Sequence, residues 1–206
     1  MAVALDSLPN EAPQFIPVLQ NEIRLQWPDI PYPSVLAAQV EQESLWKAKA
    51  LLVNKKNNNE RGAGFGQFTK NNKFDSLTEL KNKYPSKFKN WSWDNPYDAT
   101  YQLRGIAIKN RDNYNAIKWT TDDFNRMAMM DAAWNQGLGG VMFRRKYCMN
   151  MANCDPAIWF DNMEHASTQS KSPSAGYKQS FADITRTHVK NVMVVRRHKY
   201  LFMDKE

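Results

Sequence analysis

Cysteine is nearly absent from the chain: Cys148 and Cys154 are the two it has, without CxxC spacing, so neither a disulfide framework nor a thiolate metal site is encoded. Free thiols are the expected state. The three histidines, His165, His188 and His198, form no HExxH pattern and no Cys/His set, so no metal site and no cofactor is expected. No apolar run approaches membrane-spanning length. The opening MAVALDSLPNEAP lacks a basic start and meets Asp6, Pro9 and Glu11 where an apolar region would stand, so no export signal is expected and the protein reads as made in the cytoplasm. Acid is in deficit, 21 Asp and Glu against 28 Lys and Arg, a net charge of +7. That balance favours a polyanionic partner: nucleic acid, an anionic membrane face or a cell-wall polymer. Zinc-finger spacing and aromatic RNA-binding motifs are missing, so no specific nucleic acid is expected.

Strand-like alternation is also scarce, and what replaces it is helical spacing. Phe15, Leu19, Ile23 and Trp27 recur at four-residue steps, closed by Pro28. A second helix is expected from Pro33 or Ser34 through VLAAQVEQESLW. Asn95-Pro96 reads as the start of a third, with Ala99, Leu103 and Ile106 on one face. Thr121 reads as the cap of a fourth that ends at Gly137, and a last helix is expected from about Tyr177 toward Val195. The expectation is a mainly α protein: residues 1–32 as a helical extension packed on a single domain of residues 33–206.

Glycine is sparse, yet three of the eight stand within five residues, in RGAGFGQFT (Arg61 to Thr69). A phosphate loop would have to leave a buried strand and open a helix. The preceding NKKNNNE is polar and no Gly-Lys-Ser/Thr follows, which excludes that reading. The glycines serve instead a turn or a close approach of backbone to another surface.

In the second helix Leu36, Val40 and Glu43 share one face, which points a carboxylate where core is expected. One reading is a solvated acid at the edge of the stripe. The other is a partly buried acid whose pKa is raised, able to donate a proton near neutral pH. Glu41 and Lys47 read as flanking charges without such a placement.

Four motifs stand in a fixed order: Glu43-Ser44, GAGFGQ (Gly62 to Gln67), NPYDATYQLRGIAI (Asn95 to Ile108) and AAWNQGLGGV (Ala132 to Val141). Together they resemble the soluble-lytic-transglycosylase (SLT) domain of the lysozyme superfamily, over residues 33 to 195. The short basic chain looks like a bacteriophage cell-wall-degrading enzyme. The resemblance implies a lysozyme-like, goose-type fold acting on peptidoglycan glycan strands, as a monomer, in the periplasm or cell wall after release, or carried in the virion. It implies Glu43 as the catalytic acid, with Ser44 in its motif. Gln67, Phe68, Tyr101, Trp134, Asn135 and Tyr177 are the implied substrate-binding positions, Trp134 standing where the family has tyrosine. For Phe65, Phe68 and Trp134 core packing is the competing reading; for Trp91 and Trp93 the choice lies between sugar stacking and a satellite cluster.

The chain departs from the family in an Asn-rich insertion before the glycine loop. It lacks a later Glu-Thr-Arg-x-Tyr-Val pattern, for which Glu164 is the nearest substitute. One acid suffices for a lytic transglycosylase, which closes a 1,6-anhydro ring without water. The alternative, a hydrolytic muramidase, needs a second carboxylate. Glu60 is its candidate, ahead of Asp75 and Asp131. The basic stretch with Lys190, Arg196, Arg197, His198 and Lys199 is expected either to hold the enzyme near anionic envelope polymers or to be a solvated helix end.

Overall fold

The computed structural model describes residues 8–56, 59–167, 172–173 and 178–205. Among these the chain forms two compact units, one of the residues up to Lys109 together with those from Arg196, the other Asn110–Val195. The expected boundary at residues 32 and 33 instead separates two helices of the same unit. Regular structure among the described residues is seven α-helices and one three-stranded sheet, so the protein is mainly α.

In the first unit α1 (Ala12–Gln26) opens with Pro13 in its first turn and ends at Trp27 before Pro28. Its inward face carries more than hydrophobes. Glu22 is buried and receives two hydrogen bonds from Arg104, Nε to Oε2 at 3.0 Å and Nη2 to Oε1 at 3.1 Å. A fork of this kind is among the stronger polar contacts a protein makes, and it raises the Arg104 pKa. This makes α1 a full member of its unit rather than an extension.

The next helix, α2 (Pro33–Ser44), is buried almost all round, from Ser34 to Glu41. It stops where Leu45 and Trp46 take left-handed backbone, with φ of 52° and 62°. A small antiparallel sheet follows, in the order β1 (Leu51–Asn54), β2 (Glu60–Ala63), β3 (Phe68–Lys70). Leu51 pairs with Ala63 and Asn54 with Glu60 across β1 and β2, while Ala63 pairs with Phe68 across β2 and β3. RGAGFGQFT is therefore a hairpin whose turn, Gly64 to Gln67, is closed by the Gln67 N–H donating to the Gly64 carbonyl.

Next come α3 (Ser76–Lys83), capped by Asp75, and α4 (Ala99–Ala116). The latter begins after the expected Asn95-Pro96: Asp98 Oδ1 accepts from the Tyr101 N–H at 2.8 Å, a capping bond that the upstream pair does not make. Phe68, Phe88, Trp91 and Tyr101 form one aromatic cluster, with Phe68 meeting Trp91 edge-on at 4.8 Å.

The C-terminal segment completes this unit and overturns one sequence expectation. Glu41 is not a flanking charge but a buried one, 1% exposed. Its Oε1 accepts from Arg196 and Lys199, and its Oε2 from the Tyr200 hydroxyl, which itself accepts from Trp46 Nε1–H at 2.8 Å. Burial alone would raise the Glu41 pKa, but the bonds from Lys199, Tyr200 and Arg196 outweigh it and hold the carboxyl below its ordinary range. Arg197 pairs with Asp204 at 2.9 Å and bonds Ser34. Three cations expected to reach for envelope polymers are thus engaged within the fold.

In the second unit α5 (Asp123–Gln136) is capped by Asp122, not by Thr121, because the Asp122 carboxylate reaches the Asn125 N–H at 2.8 Å. It ends at Gly137 and leads into α6 (Leu138–Cys148), a 3-10 turn (Met163–His165) and α7 (Phe181–Lys190). The last helix starts at its Ser180 cap, and beyond Lys190 it loosens into a π-helical turn, Asn191–Arg196. Two polar ties cross from α5 to α7: Asp131 with His188 Nδ1 at 2.9 Å, both buried, and the Thr185 hydroxyl donating to Asn135 at 2.7 Å. Buried Arg144 of α6 donates to Gln136 and to the carbonyls of Glu164 and Ala182. Cys148 and Cys154 are not free thiols but a disulfide, since the turn after α6 brings their Cα atoms to 5.3 Å, within bonding range.

Candidate functional site

Glu43 lies in the last turn of α2, half-buried, at a pocket of about 380 Å³ that is also lined by Gln42, Ser44, Leu45, Ala50, Leu51, Leu52 and Gln67. Two of the four sequence motifs, Glu-Ser and the glycine loop, thus meet at one cavity. Ser44 turns its hydroxyl back to the Val40 carbonyl at 3.0 Å, so it secures the helix end rather than facing the pocket with a free proton. One wall is apolar. Leu45, Leu51 and Leu52 are exposed there, and Val53 extends the surface along β1. Apolar walls with a few placed polar groups are the usual make-up of a ligand site.

The glycines explain how Gln67 comes to the pocket. A side chain on Gly62 would stand 2.6 Å from Gln67 Oε1, so the bare backbone of β2 makes room for that amide. Gln67 Nε2 donates to the Gly64 carbonyl at 2.9 Å, which fixes its orientation. Gly64 has φ +72°, and a Cβ there would fall 1.8 Å from Gln102 Oε1. Gln102 is buried in α4; its Oε1 accepts from the Phe65 N–H and its Nε2 donates to the Ala48 carbonyl. It clamps the loop from beneath. Sequence reasoning passed over Gln102, although it sits inside the quoted NPYDATYQLRGIAI.

Electrostatically the pocket borders on Lys109 of α4. Burial pushes its ammonium down to about 8, against the opposing pull of Glu79 and Glu43, and Phe74 lies 5.8 Å from the nitrogen. A cation close enough to feel Glu43 is a second feature that no motif announced.

Several expected site residues lie elsewhere. Glu60 pairs with Asn54, two residues beyond Leu52, hence about 7 Å farther along the hairpin than the pocket wall. Phe65 and Phe68 are both core: Phe68 is buried against Trp91 and Phe65 packs on Phe15 and Trp46. Phe68 is corrected accordingly, for it has no surface to offer a sugar. Tyr101 is half-buried in the aromatic cluster, with Arg104 over its ring at 5.4 Å. Trp91 is core too. Trp93 is half-buried, donates to Asp75 at 2.9 Å and faces Arg61 and Lys70. Asp75 is occupied by that bond, by capping α3 and by Lys70.

In the second unit Trp134 is buried in α5, whereas Asn135 is exposed and bonded to Thr185. Asp131 is wholly buried against His188 and is not a water-holding base. Tyr177 lies outside the described residues. Glu164 accepts from the Asp161 N–H and stands 3.5 Å from His165. Those three side chains bring possible metal ligands within 4.8 Å of one another, while Glu164 is already engaged by the Asp161 N–H and His165 lies 3.4 Å from Arg186.

A second cavity, also of about 380 Å³, is lined by Ile23, Arg24, Pro28, Ile30, Pro33 and Asp204 among others. Its one acid is held by Ser34 and Arg197, which leaves the pocket at Glu43 as the better chemical site. Compared with known proteins, the chain matches no family model and no curated protein. The SLT resemblance therefore rests on the four motifs.

Proposed function

We propose that the protein is a peptidoglycan lytic transglycosylase of lysozyme-like fold, a bacteriophage-type lysis or entry enzyme, with Glu43 as its acid and base. The observation that supports this best is the meeting of Glu43, Ser44 and an oriented Gln67 at one pocket with an apolar wall. In this reading the glycan strand lies along the pocket beside β1. Protonated Glu43 gives its proton to the glycosidic oxygen between N-acetylmuramic acid and N-acetylglucosamine, and the bond from that oxygen to the muramic C1 breaks. The substrate's acetamido group stabilises the cation at C1. The Glu43 carboxylate then takes the proton of the C6 hydroxyl, whose oxygen closes on C1, and the acid is restored. The product is a 1,6-anhydro ring, and no water is consumed.

A hydrolase would need a carboxylate about 6.5–9.5 Å across the sugar from the acid. Glu60 stands at the other end of β2 from the pocket, opposite Asn54, and is the carboxylate to test for that role. The Cys148–Cys154 bond is in keeping with action outside the reducing cytosol.

The test is product analysis on purified walls. Muropeptides ending in 1,6-anhydromuramic acid, without a reducible end, are expected. Glu43→Gln should lower the rate at least about 10²-fold, the lower end for loss of general-acid catalysis, and Glu60→Gln should remain active. Reducing-end muramic acid with both variants inactive would identify a two-carboxylate muramidase instead. A folded Glu43→Gln protein of normal activity would remove Glu43 from the mechanism altogether.

A further inference from the structure

The helix α6 presents the wrong side to water. At 100° per residue, Met149, Met142, Lys146, Phe143 and Tyr147 fall in order on one arc of about 160°. All five are exposed: Met142 by 45%, Phe143 by 55% and Met149 by 60%. The opposite side, with Val141, Arg144 and Cys148, is buried. A surface helix normally shows the reverse, and contiguous exposed apolar side chains mark an interaction site. The disulfide extends the patch, because it ties the turn carrying Met149 and Met151 back to the helix end.

Charge selects the partner. Residues 137–154, GLGGVMFRRKYCMNMANC, hold no acid and three cations. Arg144 is used inside the unit, and Arg145 stacks over Trp119 at 4.7 Å. Lys146 remains exposed in the middle of the apolar arc. In a protein interface an ammonium there would be buried and would need an acid brought by the partner. At a bilayer its stem would lie along the acyl boundary and its head would reach the phosphates.

We propose that the exposed face of α6 docks on the surface of an anionic phospholipid bilayer. The helix lies in the interface rather than crossing it: its 11 residues are too few, and among the described residues no helix is long and apolar enough to span a membrane. The net charge of +7 brings the chain to such surfaces, and the arc of Met and Phe holds it there. This surface is independent of what the pocket at Glu43 does.

The experiment is co-sedimentation of the full chain with vesicles of phosphatidylglycerol and phosphatidylcholine in equal parts, beside vesicles of phosphatidylcholine alone. Binding to the anionic vesicles, weakened by salt, is expected. The double variant Met142→Ser/Phe143→Ser should reduce it at least about tenfold, the effect of withdrawing two large apolar side chains. Lys146→Glu, which removes no buried contact, should reduce it severalfold by itself and keeps the test decisive if the double variant does not fold. Leu201→Ser/Phe202→Ser, at exposed apolar positions elsewhere, should bind as the unaltered protein does. Failure of the unaltered protein to bind, undiminished binding by Lys146→Glu, or loss of binding only with the Leu201/Phe202 variant overturns the proposal. So does a dimer in sedimentation velocity that Met142→Ser/Phe143→Ser dissociates, for then a second copy covers the face.

Discussion

Replacing Glu41 with glutamine should unfold the first unit far more readily, although the change removes no atom's worth of volume. The carboxylate is fully enclosed and accepts from three donors, Arg196 and Lys199 on Oε1 and Tyr200 on Oε2. A glutamine has one acceptor oxygen. If its amide nitrogen takes the place of Oε1 it faces two cations; if it takes the place of Oε2 the Tyr200 hydroxyl, already accepting from Trp46, has nowhere to donate. Breaking a buried ion pair from one side costs about 3–5 kcal/mol, because the partner charges stay behind uncompensated. For a chain of this size that corresponds to a fall in Tm of roughly 6–20 °C. The pH dependence gives an independent check. The folded-state pKa of Glu41 lies below the ordinary 4.5, so its contribution is complete above that value and is lost as pH falls through the lower folded value. Denaturant melts of the two proteins from pH 7 down should therefore converge in acid. A Glu41→Gln protein within about 1 kcal/mol of the original at pH 7, or a gap that does not close, would refute the account.

Four further outcomes follow from named contacts. Gly64→Ala places a Cβ 1.8 Å from Gln102 Oε1 at φ +72°, so the two Gln102 bonds break on top of backbone strain, and a loss of about 3 kcal/mol is expected in chemical denaturation. Gly62→Ala clashes with the movable end of Gln67 and meets Leu52 Cβ at 3.4 Å, ordinary contact, so it should leave stability nearly intact while lowering wall-degrading activity. Reducing Cys148–Cys154, or replacing both with serine, should cost about 2 kcal/mol by the loop-entropy relation for so short a loop, read from the melting of the second unit. Lys109 titrates near 8 in the fold against 10.5 in the unfolded chain, facing Glu79 on α3, Glu43 on α2 and the Phe74 ring. Between these values the unfolded chain holds more protons, so stability rises with pH across that window, by at most about 3 kcal/mol. Lys109→Met should accordingly gain most over the original near neutral pH, and the advantage should shrink toward pH 10.5; an advantage independent of pH would remove Lys109 from the account.

The helices were legible because their signals are local. Proline after Trp27 and before Ser34, apolar spacing in α1 and Gly137 after α5 each act within a few residues. Boundaries moved where a carboxylate reached an N–H more directly than the residue expected to cap, as Asp98 and Asp122 did. The small sheet was hidden because β2 is ERGA, too polar and too rich in glycine to alternate, and holds together through pairing with Leu51–Asn54 rather than through propensity. Long-range polar partnerships left no trace in spacing. Nothing near Glu41 in sequence announces Arg196, Lys199 and Tyr200, more than 150 positions away. The same holds for Glu22 with Arg104, and the disulfide depended on a turn geometry that six residues of separation alone do not dictate.

The two glutamates of α2 show why helical spacing alone does not decide which of them the fold encloses. Residues two apart on a helix point about 200° from one another. Where one face is core and the other solvent, Glu41 and Glu43 would then divide cleanly, and alignment with Leu36 and Val40 would put Glu43 inside. But α2 is enclosed on every side from Ser34 to Glu41, so no face of it is a solvent face. Glu43 is reachable because the helix ends one residue later, where Leu45 and Trp46 turn left-handed and the chain departs toward β1. That turn is held by Trp46, buried, with its indole N–H on the same Tyr200 hydroxyl that serves Glu41. The charge sealed within the unit thus anchors the turn that brings the other to the pocket, which ties the C-terminal cations Arg196 and Lys199 to the candidate site through the fold.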